Sequence, residues 1–297
     1  MMNLPKGVSK ESLIDKLRDI SWEVFDLFKS YEKKGTCSRE FKDSLNIKSV
    51  DNDPVTDADI NASKLIKLKI IEKFPNILWD FLSEEDKKDA NFGGFQSNWI
   101  WIIDPLDGTK DFINNTGEYA MHIALTFKRK SVIAFVLIPS KEELWIFCDK
   151  DGSWCEDRKR FKKLIKVNKS LVKLNEIRIL TSKSHRHKNL KTLLAKMEPS
   201  KVIGMGSIGY KITSILKGEA DFYISYSTKE GTSPKDWDFA APAAILKGAG
   251  GNFTDIYSKE IQLLDNESFE QVGIFVASMS HFHEEICNEM RTILVNL

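Results

Sequence analysis

Residues 102–110 read Ile-Ile-Asp-Pro-Leu-Asp-Gly-Thr-Lys, and the reading of this stretch decides how the rest of the chain is organised. The apolar run from Trp99 to Ile103 predicts a buried strand that delivers Asp104 at its end. Pro105 has no N–H to donate, so ladder pairing is expected to stop there. Leu106 and Asp107 then turn the chain, and Gly108 permits a close backbone approach. A helix is expected from Thr109 onward, with Asp107 or Thr109 near its N-cap. Such a joint sets two carboxylates beside a helix N-terminus, whose free amides favour an anion. Carboxylates draw hard cations and amides draw phosphate, so one turn can assemble a metal–phosphate site. The same letters also describe a buried strand ending in an Asp-capped turn. Residues elsewhere decide between the two.

A chain of 297 residues can bury a large core, as one broad domain or two tightly joined ones. Its 44 Lys+Arg against 43 Asp+Glu leave a formal charge of +1, so no global field draws it to nucleic acid or an anionic membrane. The basic stretch Arg158 to Lys166 reads as a solvated edge or linker. No apolar run approaches bilayer-spanning length, and the N-terminus lacks the basic-then-apolar order of a secretion signal. A cytoplasmic location is expected. The cysteines (Cys37, Cys148, Cys155, Cys287) show no zinc-like spacing, and reduced thiols are the default. Cys148 and Cys155 flank the turn Asp149 to Gly152, where a cross-strand bridge is conceivable. The histidines likewise form no metal-ligand pattern, so zinc is not expected.

Residues 9–34 predict an amphipathic helix capped by Ser9, with Leu13, Leu17, Ile20, Val24, Leu27 and Tyr31 on one face. Gly35 to Asp53 is polar and predicts a surface loop. A helix should follow Asp57 and end near Phe74-Pro75. After the central turn, Tyr119–Phe127, Val132–Ile138 and Leu144–Cys148 predict an antiparallel meander. Beyond about residue 165 the rhythm becomes strand then helix. Strands are expected at Ile177–Leu180, around Val202, at Ala220–Tyr226 and at Ile274–Ala277. Helices are expected at His187–Lys196, Ile208–Lys217 and Trp237–Lys247, with Ser280 capping a last one. This alternation predicts a second α/β layer.

Four separated segments place acids where a strand or loop meets a helix: Asp57/Asp59, Glu84/Glu85, Asp104/Asp107 and Asp236/Asp238. Each has a plain structural use as well. Thr56-x-x-Asp59 is a capping box, Glu84-Glu85 can be solvated, and Asp238 can face its helix dipole. Asp104-Pro105-Leu106-Asp107-Gly108-Thr109, together with Trp237-Asp238-x-x-Ala241, resembles the paired signatures of the inositol monophosphatase superfamily of magnesium-dependent phosphatases. Pro54-Val55-Thr56-x-Ala58-Asp59 and Ser83-Glu84-Glu85-Asp86 match two further family segments in the expected order.

The resemblance implies an α/β chain with a layered α/β/α/β/α sugar-phosphatase fold. An N-terminal α+β subdomain (1–165) would carry the metal motifs, and a C-terminal α/β subdomain (166–297) the substrate segments and the last metal ligand. The active site would lie between them. Carried over by position, Glu84, Asp104 and the Leu106 carbonyl would hold a first magnesium. Asp104, Asp107 and Asp238 would hold a second, with Glu84 touching a third. The Gly108 and Thr109 amides would receive the scissile phosphate, while Asp59 and the Thr109 hydroxyl position the attacking water. A homodimer is the family expectation.

The chemistry suits those residue types. A phosphomonoester carries about two negative charges near neutral pH, and its uncatalysed hydrolysis calls for accelerations of up to ~10²¹-fold. Two cations roughly 3.5–4 Å apart neutralise that charge, generate hydroxide and stabilise the departing alkoxide. Without metal the carboxylates repel, by ~4 kcal/mol at about 4 Å and an effective dielectric near 20.

Ser182-Lys183-Ser184-His185 and Gly206-Ser207-Ile208-Gly209-Tyr210-Lys211 look like segments of the 3′(2′),5′-bisphosphate nucleotidase branch. A second phosphate needs a cation away from the metals, and Lys211 can supply one at a helix whose first amides lie near Ser207. Ser182 and His185 would contact the nucleoside or its ribose. Where some relatives carry an Arg after the strand at Ala220–Tyr226, this chain has Ser225-Tyr226-Ser227, so Lys229 or Lys235 would have to substitute. The leading expectation is removal of the 3′-phosphate from 3′-phosphoadenosine 5′-phosphate. Inositol-1-phosphate or fructose-1,6-bisphosphate phosphatase is the alternative enzyme, and a non-catalytic phospho-ligand binder the alternative of another class.

Overall fold

The computed structural model describes residues 4–34, 45–50, 53–86, 94–163, 174–183, 188–230, 232–279 and 281–295. His185, Ser280, Cys37 and most of the expected surface loop at 35–53 lie outside them. Helix α1 (Lys10–Lys34) begins where Ser9 Oγ accepts the Ser12 amide at 3.1 Å. Strands β1 (Lys48–Val50) and β2 (Asp53–Val55) pair as a short hairpin where a loop was expected, and helix α2 (Asp57–Lys73) follows.

A seven-stranded sheet comes next, ordered β3 (Asp80–Ser83), β4 (Trp99–Asp107), β5 (Ala120–Phe127), β6 (Lys130–Ile138), β7 (Glu143–Cys148), β8 (Gly152–Glu156), β9 (Lys162–Lys163). From β4 on it is the expected antiparallel meander. Its strands are apolar on both faces because both faces are covered. Trp101, Ile103, Met121, Ile123, Phe135 and Leu137 pack towards α1 and α2. Ile100, Ile102, Ala120, Ala124, Ala134 and Val136 face the other way. Small residues on that second face let a helix approach closely.

The expected strand end at Asp104 is corrected. β4 runs through Pro105 to Asp107, and a bulge separates the Asp104–His122 and Asp107–Ala120 pairs. The extra residue accommodates the missing proline donor, while the Leu106 amide turns onto Asp104 Oδ1 at 3.1 Å. Helix α3 (Thr109–Ile113) is only five residues long. Its N-cap is Gly108 rather than Asp107 or Thr109, held at φ +90°. A Cβ there would meet Glu118 O at 3.0 Å and Ser207 N at 3.3 Å, so the joint requires glycine.

The second sheet has the order β11 (Lys201–Met205), β10 (Arg178–Ser182), β12 (Phe222–Ser227), β14 (Gly273–Ser278), β13 (Asn252–Asp255). Helices α5 (Ile208–Leu216) and α6 (Asp236–Gly248) fill the space between the sheets, joining Ile212, Phe239, Ala240 and Ala241 to Val136 on one side and Tyr223, Phe253 and Phe275 on the other. Helices α4 (Lys188–Met197) and α7 (His283–Val295) cover the outer face through Leu190, Leu193, Ile286 and Met290. The order of layers is therefore α/β/α/β/α. Cys148 faces Gly152 and Cys155 faces Trp145 across β7 and β8, and both are buried thiols that form no disulfide. The basic stretch borders α1, where Arg158 pairs with Asp26 at 2.6 Å.

Candidate active site

Strand alternation aims Asp104 at the middle helix layer, on the same face as Ile100 and Ile102. The bulge then brings Asp107 to that side, and the N-termini of α5 and α6 arrive from the opposite sheet. Glu84, Asp104, Leu106, Asp107, Gly108, Thr109, Lys211 and Asp238 all line one cleft of about 850 Å³. Asp59 stands just behind it and is 2% exposed. The separated acids are thus gathered around a single space. Three of the expected acids, Asp57, Glu85 and Asp236, do not line it. Asp236 is fully buried and accepts the Leu264 amide at 2.7 Å and Gln271 Nε2 at 2.6 Å, pinning a loop. Asp57 accepts from Asn46 Nδ2 at 3.3 Å.

Four of these carboxyls, Asp59, Glu84, Asp104 and Asp238, hold their protons unusually well. Asp104, 1% exposed, is raised well above the ordinary carboxyl range by burial and then by Glu84 and Asp107. Glu84 is raised likewise by desolvation and by Asp238. Asp238 is pushed up to about 7 by burial and Asp107, against the Lys235 amide that its Oδ2 accepts at 2.6 Å. Asp59 is raised to about 6 by burial, opposed by its hydrogen bonds from Thr56. Clustered, desolvated carboxylates with oxygen-only donors suit a hard divalent cation, which would remove the repulsion.

Asp59 serves two elements. Its Oδ2 accepts the Thr56 amide at 2.8 Å and hydroxyl at 2.5 Å, closing the predicted capping box of α2. Its Oδ1 accepts the Thr109 hydroxyl at 3.0 Å, which also lies 3.1 Å from the Leu106 carbonyl. Asp107 is held from across the chain. Its Oδ2 accepts Ser207 Oγ at 2.7 Å, Ile208 N at 2.5 Å and Gly209 N at 3.3 Å, at the first turn of α5. Ser207 is therefore buried beneath the cleft, its hydroxyl on Asp107.

Lys211 is 1% exposed and lines the cleft. Its ammonium donates to the Met205 carbonyl at 3.3 Å and to the Gly206 carbonyl, and sits 5.1 Å from the Tyr223 ring centroid. Burial lowers its pKa to about 8 although Asp107 and Asp238 oppose this, so it stays cationic at neutral pH. Ser182 lines the same cleft, and so does Lys235, paired with Glu270 at 2.5 Å.

Two features escape a reading of the sequence. Lys183 bridges Asp111 at 2.6 Å and Glu118 at 2.8 Å, while Glu118 Oε2 accepts the Gly206 amide at 2.9 Å. This ties α3 to the start of α5. His122, fully buried on β5, places Nε2 3.4 Å from Asp107 Oδ2. Burial depresses its pKa against the pull of Asp107. Its only cue in sequence is a lone imidazole inside an apolar strand, and its partner becomes evident only from the pairing with Asp104.

The model of the inositol monophosphatase family matches residues 10–294. A Shigella flexneri 3′(2′),5′-bisphosphate nucleotidase CysQ is 29% identical over 233 residues, covering 78% of this chain and 88% of that one. The Buchnera aphidicola protein of the same name is 32% identical over 203 residues, or 68% and 71% of the two chains. Among solved structures, the Thermotoga maritima IMPase superposes with a TM-score of 0.71 over 95% of this chain and 98% of that one, at 21% identity. With the acids converging where the family signatures fall, the chain belongs to the inositol monophosphatase family.

Proposed function

We propose that this magnesium-dependent phosphatase hydrolyses 3′-phosphoadenosine 5′-phosphate to AMP and inorganic phosphate, and cuts 3′-phosphoadenylyl sulfate at the same 3′ position. The observation that carries this reading is Lys211, a buried cation on the wall of the cleft that holds the acids. Asp107 and Asp238 lie close enough to act on this charge, but both are needed for metal, so a second phosphate gives the ammonium an anionic partner that a plain monoester does not. The names of the curated relatives point the same way.

In this reading Glu84, Asp104 and the Leu106 carbonyl hold one magnesium, Asp104, Asp107 and Asp238 a second, and Glu84 touches a third. When bound, magnesium lends positive charge to the phosphoryl and leaving oxygens. The Gly108 and Thr109 amides receive the scissile phosphate. The Thr109 hydroxyl, donating to Asp59, turns a lone pair to the attacking water, and Asp59 takes up the proton as the water oxygen bonds to phosphorus. The P–O3′ bond breaks, and its electron pair leaves with the ribose oxygen, which takes a proton from solvent water to give the 3′-hydroxyl. Ser182 and His185 contact the nucleoside.

A second reading rests on one contact. Because the Lys211 ammonium is turned onto the Met205 and Gly206 carbonyls, the cleft also suits a substrate with one phosphate, such as inositol-1-phosphate. Phosphate release from the adenosine bisphosphate, inositol-1-phosphate and fructose-1,6-bisphosphate, with magnesium or chelator, separates the two. Lys211→Ala is expected to raise KM for the adenosine bisphosphate at least ~10-fold, the worth of one charge-assisted hydrogen bond, with little change for a monoester. Equal losses on both substrates would favour the second reading.

A further inference from the structure

His122 has no role in the chemistry above, yet it occupies a costly position. It is fully buried, and its polar contacts are loose: the Trp237 backbone acts on the ring, yet among the described residues neither nitrogen has a partner of ordinary hydrogen-bond geometry. A buried imidazole is unfavourable unless its nitrogens are well partnered, so one held this loosely calls for a reason. The nearest carboxylate oxygen is Asp107 Oδ2, at 3.4 Å from Nε2. One ligand atom each of Asp104, Asp107 and His122 lies within 4.8 Å of the others.

The neighbouring helix is shaped around the ring. A Cβ on Gly209 would fall 2.3 Å from His122 Nε2 and 2.9 Å from Val136 Cγ1. Glycine at this position lets the first turn of α5 press onto the imidazole, and that turn donates Ser207 Oγ, Ile208 N and Gly209 N to the same oxygen of Asp107. His122 and the turn thus surround Oδ2, while among the described residues no hydrogen bond engages Oδ1, the oxygen then available to a cation.

We infer that His122 is a positioning residue, whose Nε2–H supports Asp107 Oδ2 and sets the carboxylate for metal. This rests on the metal role given to Asp104 and Asp107. Groups that orient a ligand in this way typically change metal affinity 10- to 100-fold.

The test is binding of Mn²⁺, followed by its free-ion paramagnetic resonance and displaced by Mg²⁺, to the full chain and four variants. His122→Leu keeps bulk without a donor, and His122→Ala reports the same loss should leucine fail to pack. Both are expected to bind Mn²⁺ at least ~10-fold more weakly. His122→Asn, which restores a short donor, is expected to recover most of that loss. Asp104→Asn is expected to lose binding. Wild-type affinity in the leucine and alanine variants, or an asparagine variant as weak as alanine, overturns the role of His122 while leaving the metal reading intact. Wild-type affinity in Asp104→Asn overturns the metal reading itself.

Discussion

The two oxygens of Asp59 do different work. Oδ2 closes the cap of α2 through Thr56, and Oδ1 receives Thr109. An asparagine can keep its carbonyl on the Thr56 amide, which preserves the cap and turns its NH₂ towards Thr109. Asp59→Asn should therefore fold normally while kcat falls by about 10²–10⁴, the usual worth of a positioned base, and KM moves little. Steady-state kinetics beside a thermal melt checks this, and an unchanged kcat would remove Asp59 from proton transfer. The spacing Thr56-x-x-Asp59 announces the cap, whereas the second use, with Thr109 fifty residues on, follows from the family resemblance and from no local rule. His122 is less legible still. No local rule relates it to Asp107, because their proximity depends on strand register and on a glycine in a distant helix.

Elements with a strong apolar period are legible, and those defined by pairing alone are not. The meander and the middle helices fall close to their predicted places because burial on both faces demands continuous apolar runs. β13 is missed, since Asn252-Phe253-Thr254-Asp255 offers one large apolar side chain and takes its strand form from β14. That corner of the fold is joined by His283, 5% exposed, with Nδ1 2.8 Å from Ser278 Oγ and Nε2 2.8 Å from Thr254 Oγ1. Burial lowers its pKa from 6.5 to about 4. The unfolded chain then takes up a proton that the native state refuses. The stability from this group is complete above about pH 6.5 and is lost as pH falls towards 4, roughly 3 kcal/mol in full. Urea midpoints at pH 7.5, 5.5 and 4.5 should drop more steeply for the wild type than for His283→Asn. Parallel slopes would count against it.

At the scale of the molecule, the acids oppose the fold until a cation joins them. Glu84, Asp104 and Asp238 all retain protons that the unfolded chain would release. Without metal, the native state therefore loses stability as pH rises from about 4 through the raised folded-state values, which for Asp238 is about 7. Magnesium should raise Tm by several degrees at pH 7.5 and by clearly less at pH 5. Superimposed melts with magnesium and with chelator at pH 7.5 would contradict this. The layering has a different consequence. Because α5 and α6 plaster both sheets at once, neither sheet owns its inner covering. A polypeptide ending near residue 165 would bare Ile102, Val136 and Trp145 to solvent, and the complementary fragment would bare Tyr223 and Phe275. Each would be sticky and insoluble alone. Co-produced in one cell, the two pieces should rescue one another, as a noncovalent reconstitution rather than a pair of autonomous modules.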